Sequence, residues 1–281
     1  SQGSVEPGAD PAGVREKMRI ARFAADGRIW EGMVTEEGWL VADGRRFDPE
    51  RVMWLPPIPP GGKAIGLALN YAEHAEELRV APPEEPALFF KPSNAWIGHR
   101  APVIYPKGVT FLHGEVELVV IIGRRCRNVR PEAAWDVIAG YTIGNDVTAR
   151  DFVGNFYRPP VRAKGQDTFG PMGPWRVTPD EIPDPHNLAL RLYVNDRLVQ
   201  EGHTSRMIHR IPDLIAFITS FMTLEPGDTL WTGTPRGIAP VRPGDVMRLE
   251  IEGIGVLENP VVEEQGDGTT EWPLYRPSLH R

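Results

Sequence analysis

The segment at residues 115–122 constrains the fold of this chain most, because it places two acidic residues at the start of an otherwise apolar stretch. Valine, leucine and isoleucine fill the rest of it, which predicts a buried β-strand. Alternate side chains of a strand share a face, so Glu115 and Glu117 are expected to point the same way. Two carboxylates on one buried face are costly unless positive charge lies between them. A hard divalent cation would supply that charge; the alternative is a strand end with solvated or salt-bridged glutamates.

Most of the remaining chain predicts short strands joined by turns rather than a bundle of helices. Its 281 residues include 29 glycines and 29 prolines, which often interrupt regular structure. Asp-Gly at 26–27 and Asn-Asp at 195–196 each separate two apolar stretches, which predicts two β-hairpins. Apolar side chains recur at helical spacing over residues 211–221, which predicts a helix packed on the core. The predicted fold class is α+β, mainly β, with a mixed and curved sheet.

The proline-rich stretch at 56–62 predicts a stiff boundary between two parts of the chain. The start of the chain is polar and lacks the apolar core of a signal peptide. The predicted division has a leader at 1–17, a small β-rich N-terminal subdomain at 18–58, a catalytic domain at 59–262 and a loose polar tail at 263–281.

Charge and composition narrow the classes of partner. The formal net charge is −7, from 31 basic and 38 acidic side chains, and no basic run stands out, so nucleic acid is not an expected partner. No apolar run is long enough to predict a membrane span. The single cysteine, Cys126, forms no internal disulfide. We therefore expect a cytoplasmic protein whose partner is a small molecule.

Two further charged residues are candidates for the same site. Asp146 follows an apolar stretch where the polarity changes abruptly, and strand ends often present functional groups. Lys164 lies between alanine and glycine, where it could act as a point charge towards a carboxylate or an enolate. An ordinary alternative for Asp146 is to cap a helix that starts at Val147. In that case Asp151 would only pair with Arg150, and Lys164 would be a surface lysine.

Residues 71–78 predict a short polar helix, with Asn70 as its capping residue. His74 and Glu77 are three residues apart on it, so their side chains are neighbours. A carboxylate beside an imidazole orients the ring and raises its basicity, which suits a general base, and such a helix could form a mobile lid. The same pair also occurs on ordinary solvated helices.

Thr234 lies in a Gly/Pro turn. Its hydroxyl could bind an anion; the alternative is that the turn has only a structural role.

In combination and in this order, these segments resemble the fumarylacetoacetate hydrolase family. The resemblance covers roughly residues 64–262, most of the chain. Glu-x-Glu at 115–117, Thr-Ala-Arg-Asp at 148–151 and Thr-Gly-Thr-Pro at 232–235 are specific as a set. The matching stretches are 70–77, 89–92, 113–117 and 146–151, together with Lys164 and Thr234.

The fold and the metal site follow from this resemblance as expectations. It implies a mixed β-sandwich roll of the family's C-terminal type, preceded here by the small N-terminal subdomain, and usually a homodimer. It implies Mg²⁺, with Mn²⁺ or Ca²⁺ as alternatives, held by Glu115, Glu117 and Asp146.

The remaining site residues are implied in the same way. His74 and Glu77 would form an acid/base pair carried on the lid, and Lys164 would place a second positive charge near the reacting oxygen. A positive residue such as Arg158 or Lys91 would hold a distal carboxylate, because a dianionic substrate needs a second anchor. The residues expected to contact substrate are Lys91, Arg150, Arg158, Thr168 and Thr234.

One branch of the family looks closer still. Residues 154–160, followed by Lys164, and the stretch 82–86 resemble enzymes of homoprotocatechuate degradation, which decarboxylate 5-oxopent-3-ene-1,2,5-tricarboxylate and isomerise 2-hydroxyhepta-2,4-diene-1,7-dioate. The implied function is a metal-dependent isomerase or decarboxylase of a small unsaturated 2-oxo dicarboxylate or tricarboxylate in aromatic catabolism. Two alternatives stay open. One is an acylpyruvate-type C–C hydrolase or oxaloacetate decarboxylase that uses the same site, and the other is a non-catalytic binding protein with this fold.

Overall fold

The computed structural model of the protein describes residues 16–154 and 158–266. The strands within these ranges are, in chain order, β1 (Arg19–Ala25), β2 (Arg28–Val34), β3 (Leu40–Ala42), β4 (Arg45–Phe47), β5 (Met53–Trp54), β6 (Ala64–Ala68), β7 (Ala87–Phe90), β8 (Trp96–Ile97), β9 (Val103–Tyr105), β10 (Leu112–His113), β11 (Val116–Ile122), β12 (Ile138–Asn145), β13 (Thr148–Ala149), β14 (Gly170–Val177), β15 (Ala189–Val194), β16 (Arg197–His203), β17 (Thr229–Trp231), β18 (Pro240–Val241), β19 (Val246–Ile251) and β20 (Gly255–Glu263). The α-helices there are α1 (Ala72–Leu78), α2 (Val161–Lys164) and α3 (Ile211–Thr219). Short 3₁₀ helices span Ser93–Ala95, Pro131–Val137, Arg150–Phe152, Pro179–Glu181 and Thr204–Arg206.

The largest sheet holds the acidic strand near its middle. Its strand order is β4-β3-β2-β1-β14-β12-β11-β17-β6-β7, with β5 paired to β1 and β8 paired to β14. Strand β11 lies antiparallel between β12 and β17, and each of its residues is buried. A continuous apolar run suits a strand that is covered on both faces. The strand predicted from residue 115 is therefore present, and it begins one residue later, at Val116.

The N-terminal strands extend this sheet rather than forming a detached layer. Strand β1 pairs antiparallel with β14, with Arg19 opposite Val177. On the far side of this junction, Phe23, Trp30 and Phe47 pack in a small apolar cluster of their own. The separate cluster is consistent with the predicted subdomain at 18–58, and the domain division itself stays a prediction.

A second sheet covers one face of the large one. Its five strands run in the order β16-β15-β19-β20-β9, and β15, β19 and β20 contact β11, β12 and β14. Leu192 and Leu249 from this sheet share one buried apolar cluster with Leu118 from β11. Each fully buried leucine contributes about 1.5–3 kcal/mol by leaving water. Two sheets around a common core form a sandwich, which confirms the predicted mainly-β α+β class.

Both predicted hairpins are present, because their turn residues accept the required backbone conformation. Asp26 and Gly27 join β1 to β2, and Asn195 and Asp196 join β15 to β16; their φ angles are 50°, 76°, 48° and 64°. Two-residue hairpin turns of this kind need positive φ at both positions, which Gly, Asn and Asp tolerate best.

The helix predicted at 211–221 is α3, which ends at Thr219. Its buried apolar side chains are Ile211, Leu214, Ile215 and Ile218. This spacing places them on one face of the helix, against the core, as predicted. None of the helices in the described parts of the chain is long and apolar enough to cross a membrane.

A small third sheet fixes the chain where the acidic residues lie. Its strand order is β13-β10-β18, and it places His113 opposite Thr148. Strand β10 precedes β11 and β13 follows β12, so this sheet clamps the two segments that carry Glu115 and Asp146. The sandwich and the small sheet together set the geometry of the site.

Candidate active site

The three carboxylates predicted as metal ligands converge at one end of β11 and β12. These strands are antiparallel, with Val116 opposite Asn145, so the residue before β11 lies beside the residue after β12. The backbone N–H of Asp146 accordingly donates to the carbonyl of Glu115 at 3.0 Å. One carboxylate oxygen from each of Glu115, Glu117 and Asp146 lies within 4.8 Å of the others. The side chains are 5%, 1% and 1% exposed in that order, so their charges are not solvated.

Glu117 shows most directly that this cluster fits a cation. Its Oε1 accepts a hydrogen bond from the backbone N–H of Gly233 at 2.9 Å, whereas its buried Oε2 has no partner among the described residues. Burial, and then the charges of Asp146 and Glu115, raise the pKa of Glu117 well above its usual value. A buried carboxylate oxygen without a partner is costly, and a hard divalent cation binds such oxygens. The donor set is therefore suited to Mg²⁺, Mn²⁺ or Ca²⁺.

Two buried lysines contribute positive charge to the same cluster. Lys164 Nζ donates to Glu115 Oε2 at 3.1 Å, Asp146 Oδ2 at 2.7 Å and Thr148 Oγ1 at 2.8 Å. Burial alone would lower the pKa of Lys164, but Asp146 and Glu115 outweigh it and raise that pKa. Lys91 Nζ donates to Asp146 Oδ1 at 2.5 Å and to the carbonyl of Val147 at 3.0 Å. Lys164 is thus not the surface lysine of the ordinary alternative.

The charges of the cluster favour an anionic ligand once a cation is bound. Burial alone would raise the pKa of Asp146, but Lys164 and Lys91 lower it far more, so this carboxylate stays ionised. With all three carboxylates ionised, the two ammonium groups and the guanidinium of Arg150, 3.7 Å from Glu115, balance their charge. A divalent cation would therefore make the buried site positive, as an anionic substrate requires.

His74 and Glu77 form the predicted pair on α1. His74 Nδ1 lies 3.1 Å from Glu77 Oε2, and the imidazole is buried. Glu77 Oε1 also accepts from the backbone N–H groups of Gly237 at 3.1 Å and Ile238 at 2.9 Å. Burial opposes ionisation of Glu77, yet these N–H groups and His74 outweigh it and lower its pKa. The ionised carboxylate therefore fixes the ring of His74 and docks α1 on the loop that follows the Thr234 turn.

The predicted capping role of Asn70 is wrong. Tyr71 is the N-cap residue of α1, and no side chain caps the helix. The carboxamide of Asn70 is used elsewhere: its Nδ2 donates to the carbonyls of Thr232 at 2.8 Å and His209 at 3.1 Å, and its Oδ1 accepts from the N–H of His209 at 2.8 Å. A buried amide is better satisfied by three such bonds than by one cap. Asn70 thus ties the start of the predicted lid to the segment before Thr234.

Arg150 is held beside the cluster by a histidine rather than by Asp151. Its Nε and Nη2 lie 3.2 Å and 2.9 Å from His113 Nε2, and its Nη2 lies 3.7 Å from Glu115 Oε1. A guanidinium only donates, so His113 accepts at Nε2 and carries its proton on Nδ1. Burial, and then Arg150, lower the pKa of His113 to about 3. Asp151 instead accepts from the backbone N–H groups of Thr110 and Phe111, both at 2.9 Å.

The ordinary alternative for this segment is therefore wrong. No helix begins at Val147, because the chain continues into β13 and then into the short 3₁₀ helix Arg150–Phe152. Asp146 does not cap a helix, and its carboxylate is engaged by the two buried lysines.

The remaining predicted contact residues lie in different environments. Thr168 and Thr234 are buried, and the hydroxyl of Thr168 accepts from the backbone N–H of Ile104 at 2.8 Å. Arg158 is exposed and lies next to residues 155–157, which are outside the described ranges. Lys91 is 1% exposed and is bound to Asp146. Lys91 therefore lies behind a carboxylate of the cluster, which suits a counter-ion better than an anchor for a distal carboxylate.

Three further buried polar residues connect parts of the site and were not among the predicted ones. They are His113, which holds Arg150; Asn145, whose Oδ1 accepts from the N–H of Glu115 at 3.0 Å; and Gln200, which contacts the Thr234 turn. His113 stands directly before the Gly-Glu-x-Glu segment, so its position alone was a signal. Gln200 is far away in sequence on β16, and nothing in its neighbourhood pointed to the site.

The fold and this site define a member of one enzyme family. Residues 63–262 match the fumarylacetoacetate (FAA) hydrolase C-terminal family. The chain belongs to the fumarylacetoacetate hydrolase family, and the membership predicted from its motifs is confirmed.

Similar proteins place it near enzymes of aromatic catabolism. The chain is 43% identical over 235 residues to the 4-hydroxyphenylacetate degradation bifunctional isomerase/decarboxylase of Salmonella dublin, and the match covers 84% of this chain and 54% of that protein. It spans about half the length of the bifunctional relatives it matches.

Solved structures agree with this relationship over nearly the whole fold. A 5-carboxymethyl-2-hydroxymuconate delta-isomerase from Mycobacterium smegmatis superimposes with a TM-score of 0.80 and 40% identity, covering 89% of this chain and 100% of that one. A maleylpyruvate hydrolase from Sphingobium sp. SYK-6, solved with manganese (II) and pyruvate, has a TM-score of 0.75 and 32% identity, with 88% and 100% covered.

Proposed function

We propose that this protein is a divalent-metal-dependent isomerase or decarboxylase that acts on a small unsaturated 2-oxo dicarboxylate or tricarboxylate in aromatic catabolism. The observation that carries the proposal is the buried cluster of Glu115, Glu117 and Asp146, with its unpartnered Glu117 oxygen. The names of the bifunctional relative and of the isomerase structure support the substrate class. Mg²⁺ is the metal we propose, with Mn²⁺ or Ca²⁺ as alternatives, because the donors are hard oxygen atoms.

Each protein group has a role in this proposal that follows from its contacts. A bound cation would act as a Lewis acid and stabilise negative charge on the 2-oxo oxygen of the substrate. Lys164, whose Nζ lies between Glu115 and Asp146, would add a second positive charge near that oxygen. His74 would transfer the proton through Nε2, because Nδ1 is engaged by Glu77.

Anchoring of the substrate carboxylates is assigned to the arginines. Arg150 is one quarter exposed, so its guanidinium can pair with a carboxylate in the site while His113 holds it from behind. Arg158 remains the candidate for a distal carboxylate. For Lys91 we now propose a different role from the one the resemblance implied: it neutralises Asp146.

Product analysis tests the proposed function and separates its alternatives. The purified protein would be supplied with Mg²⁺ or Mn²⁺, or with a chelator, and with four substrates: the two homoprotocatechuate-pathway intermediates, acetylpyruvate and oxaloacetate. Mass spectrometry would identify the products. We expect isomerisation of a pathway intermediate, or CO₂ release from it, that the chelator abolishes. The absence of chelator-sensitive turnover with all four substrates would contradict the catalytic proposal and favour a binding protein.

A hydrolase that cleaves a C–C bond is the second candidate. The similarity to a maleylpyruvate hydrolase favours it, and the His74–Glu77 pair could deprotonate a water molecule instead of the substrate. Two acids as products of acetylpyruvate, with no turnover of the pathway intermediates, would select this candidate. The roles proposed for the carboxylates and Lys164 would then be unchanged.

A homodimer is also proposed. Several large apolar side chains are exposed on the single chain, among them Phe90 at 56% and Val161 at 70%. Exposed apolar side chains that lie together in one patch can form an interface, and the family resemblance supports a dimer. Light scattering would give twice the chain mass for a dimer and the mass of one chain otherwise.

A further inference from the structure

Gln200 is a buried polar residue that joins two parts of the site. It lies on β16 and is 2% exposed. Its Oε1 accepts a hydrogen bond from the backbone N–H of Val116 at 2.9 Å. Its Nε2 donates to Thr234 Oγ1 at 2.9 Å and to the carbonyl of Pro235 at 3.0 Å. One carboxamide thus connects Val116, which lies between the two glutamates in sequence, with the turn that carries Thr234.

The orientation of this carboxamide is fixed by its surroundings. The N–H of Val116 can only donate, and the carbonyl of Pro235 can only accept. A flipped amide would place two donors together at Val116 and two acceptors together at Pro235. Gln200 therefore must present its NH₂ group to Thr234, and the hydroxyl oxygen of Thr234 must accept.

Close packing holds β16 and the turn in this relation. A Cβ atom added at Gly202, two residues after Gln200, would lie 2.4 Å from the Cβ of Pro235. Only glycine lets the strand approach the turn so closely. The contact between Gln200 and Thr234 is therefore a fixed feature of the fold rather than a flexible side-chain encounter.

The bond from Gln200 determines what the Thr234 hydroxyl can do. Because its oxygen accepts from Gln200, its hydrogen points elsewhere, and that hydrogen has no acceptor among the described residues. The same turn reaches the carboxylate cluster, since the N–H of Gly233 donates to Glu117 Oε1 at 2.9 Å. The oxygens of a 2-oxo acid are acceptors only, so they need a donor at this place.

We propose that Gln200 is a positioning residue that makes Thr234 a hydrogen-bond donor to an oxygen of the metal-bound 2-oxo acid. This inference rests on the proposed function, because it requires an anionic oxygen ligand beside Glu117. Without the NH₂ group of Gln200, the hydroxyl of Thr234 would be free to turn its hydrogen away and present a lone pair to the substrate, which would repel it.

Oxalate, a small dianion with acceptor oxygens only, is a suitable probe. Its affinity for the Mn²⁺-loaded protein would be measured by calorimetry, together with the affinity for Mn²⁺ alone. In Gln200→Glu, the new carboxylate can accept from Val116 but cannot donate to Thr234, so the hydroxyl would donate to it. We expect Q200E and T234V each to weaken oxalate binding about 10-fold, the effect of one hydrogen bond to a charged group, with Mn²⁺ affinity within about 3-fold of wild type.

The Q200E/T234V double variant separates positioning of Thr234 from a general effect of the charge that Q200E adds. If Gln200 acts through Thr234, Q200E should weaken oxalate binding by less than about 2-fold in the T234V background, because coupled residues are not additive. Thr234→Ser keeps the hydroxyl and should retain the affinity of wild type. An equal loss from Q200E with and without the Thr234 hydroxyl would overturn the inference, as would no loss at all. Wild-type protein that binds Mn²⁺ but no oxalate would instead overturn the proposed function, and this inference with it.

Discussion

Replacing Glu117 with glutamine should abolish metal-dependent turnover and at the same time stabilise the metal-free protein. Glutamine keeps the size and can still accept from the N–H of Gly233, but it provides a neutral and weaker ligand. Loss of a group that only hydrogen-bonds to a metal ligand already lowers metal affinity about 10- to 100-fold. We therefore expect loss of the ligand itself to lower metal affinity more than about 100-fold. Turnover should fall below detection at ordinary metal concentrations.

The stability effect has the opposite sign because of the raised pKa. Folding raises the pKa of Glu117 through burial and through Asp146 and Glu115, so the ionised carboxylate destabilises the fold at neutral pH. Glutamine removes that charge. The metal-free variant should therefore melt at a higher temperature than wild type, and each 1 kcal/mol of added stability raises the melting temperature of a chain of this size by about 2 °C.

Calorimetry with Mn²⁺ and melting in a chelator would measure both effects. Glu37→Gln is a matched control, because Glu37 is exposed in the turn after β2 and should change neither quantity. An E117Q protein that bound Mn²⁺ as tightly as wild type would show that the metal, if any, lies elsewhere. A lower melting temperature in the chelator would contradict the view that charge repulsion destabilises the empty cluster.

Replacing His74 with alanine should cut turnover by about 10²- to 10⁴-fold, the usual contribution of a positioned general acid or base. Metal affinity should stay within a few-fold of wild type, since His74 does not belong to the cluster of Glu115, Glu117 and Asp146 that would hold the metal. Glu77→Gln should reduce turnover less than H74A, because it leaves the imidazole in place and removes only the carboxylate that orients it.

Glu76→Gln provides the matched control on the same helix, since Glu76 is exposed and one residue away from Glu77. Steady-state turnover at saturating metal, with Mn²⁺ titration of each variant, distinguishes the proposed roles. Unchanged turnover in H74A would show that the dyad assignment is wrong. A parallel loss of metal affinity would indicate that the helix supports the site structurally instead.

The sequence was sufficient where local rules decide the structure. Alternation along the strand placed Glu115 and Glu117 on one face, and the order of the motifs supplied Asp146 as the third carboxylate. Turn chemistry located both hairpins, since Asp26-Gly27 and the pair at 195–196 tolerate positive φ. These features depend on neighbours in the chain, and so a pattern predicts them.

The sequence was insufficient where a side chain chooses among distant partners. Asparagine is a residue type that often caps helices, and Asn70 stands at the right position. The fold, however, brings three backbone groups of Thr232 and His209 to its amide, and the amide bonds to these instead. No local pattern indicated that Lys91 contacts Asp146, which is 55 residues away in sequence. Gln200 is separated from Val116 by 84 residues, and no local pattern marks it.

The location of a bound Mn²⁺ ion tests the central claim most directly. Crystals of the wild-type protein grown with Mn²⁺ and oxalate would be measured at the manganese absorption edge, so that the ion is identified by its anomalous signal. We expect one ion per chain between Glu115, Glu117 and Asp146, with oxalate bound to it on the side of Lys164 and Thr234. An empty carboxylate cluster, or manganese bound only at other residues, would contradict the account.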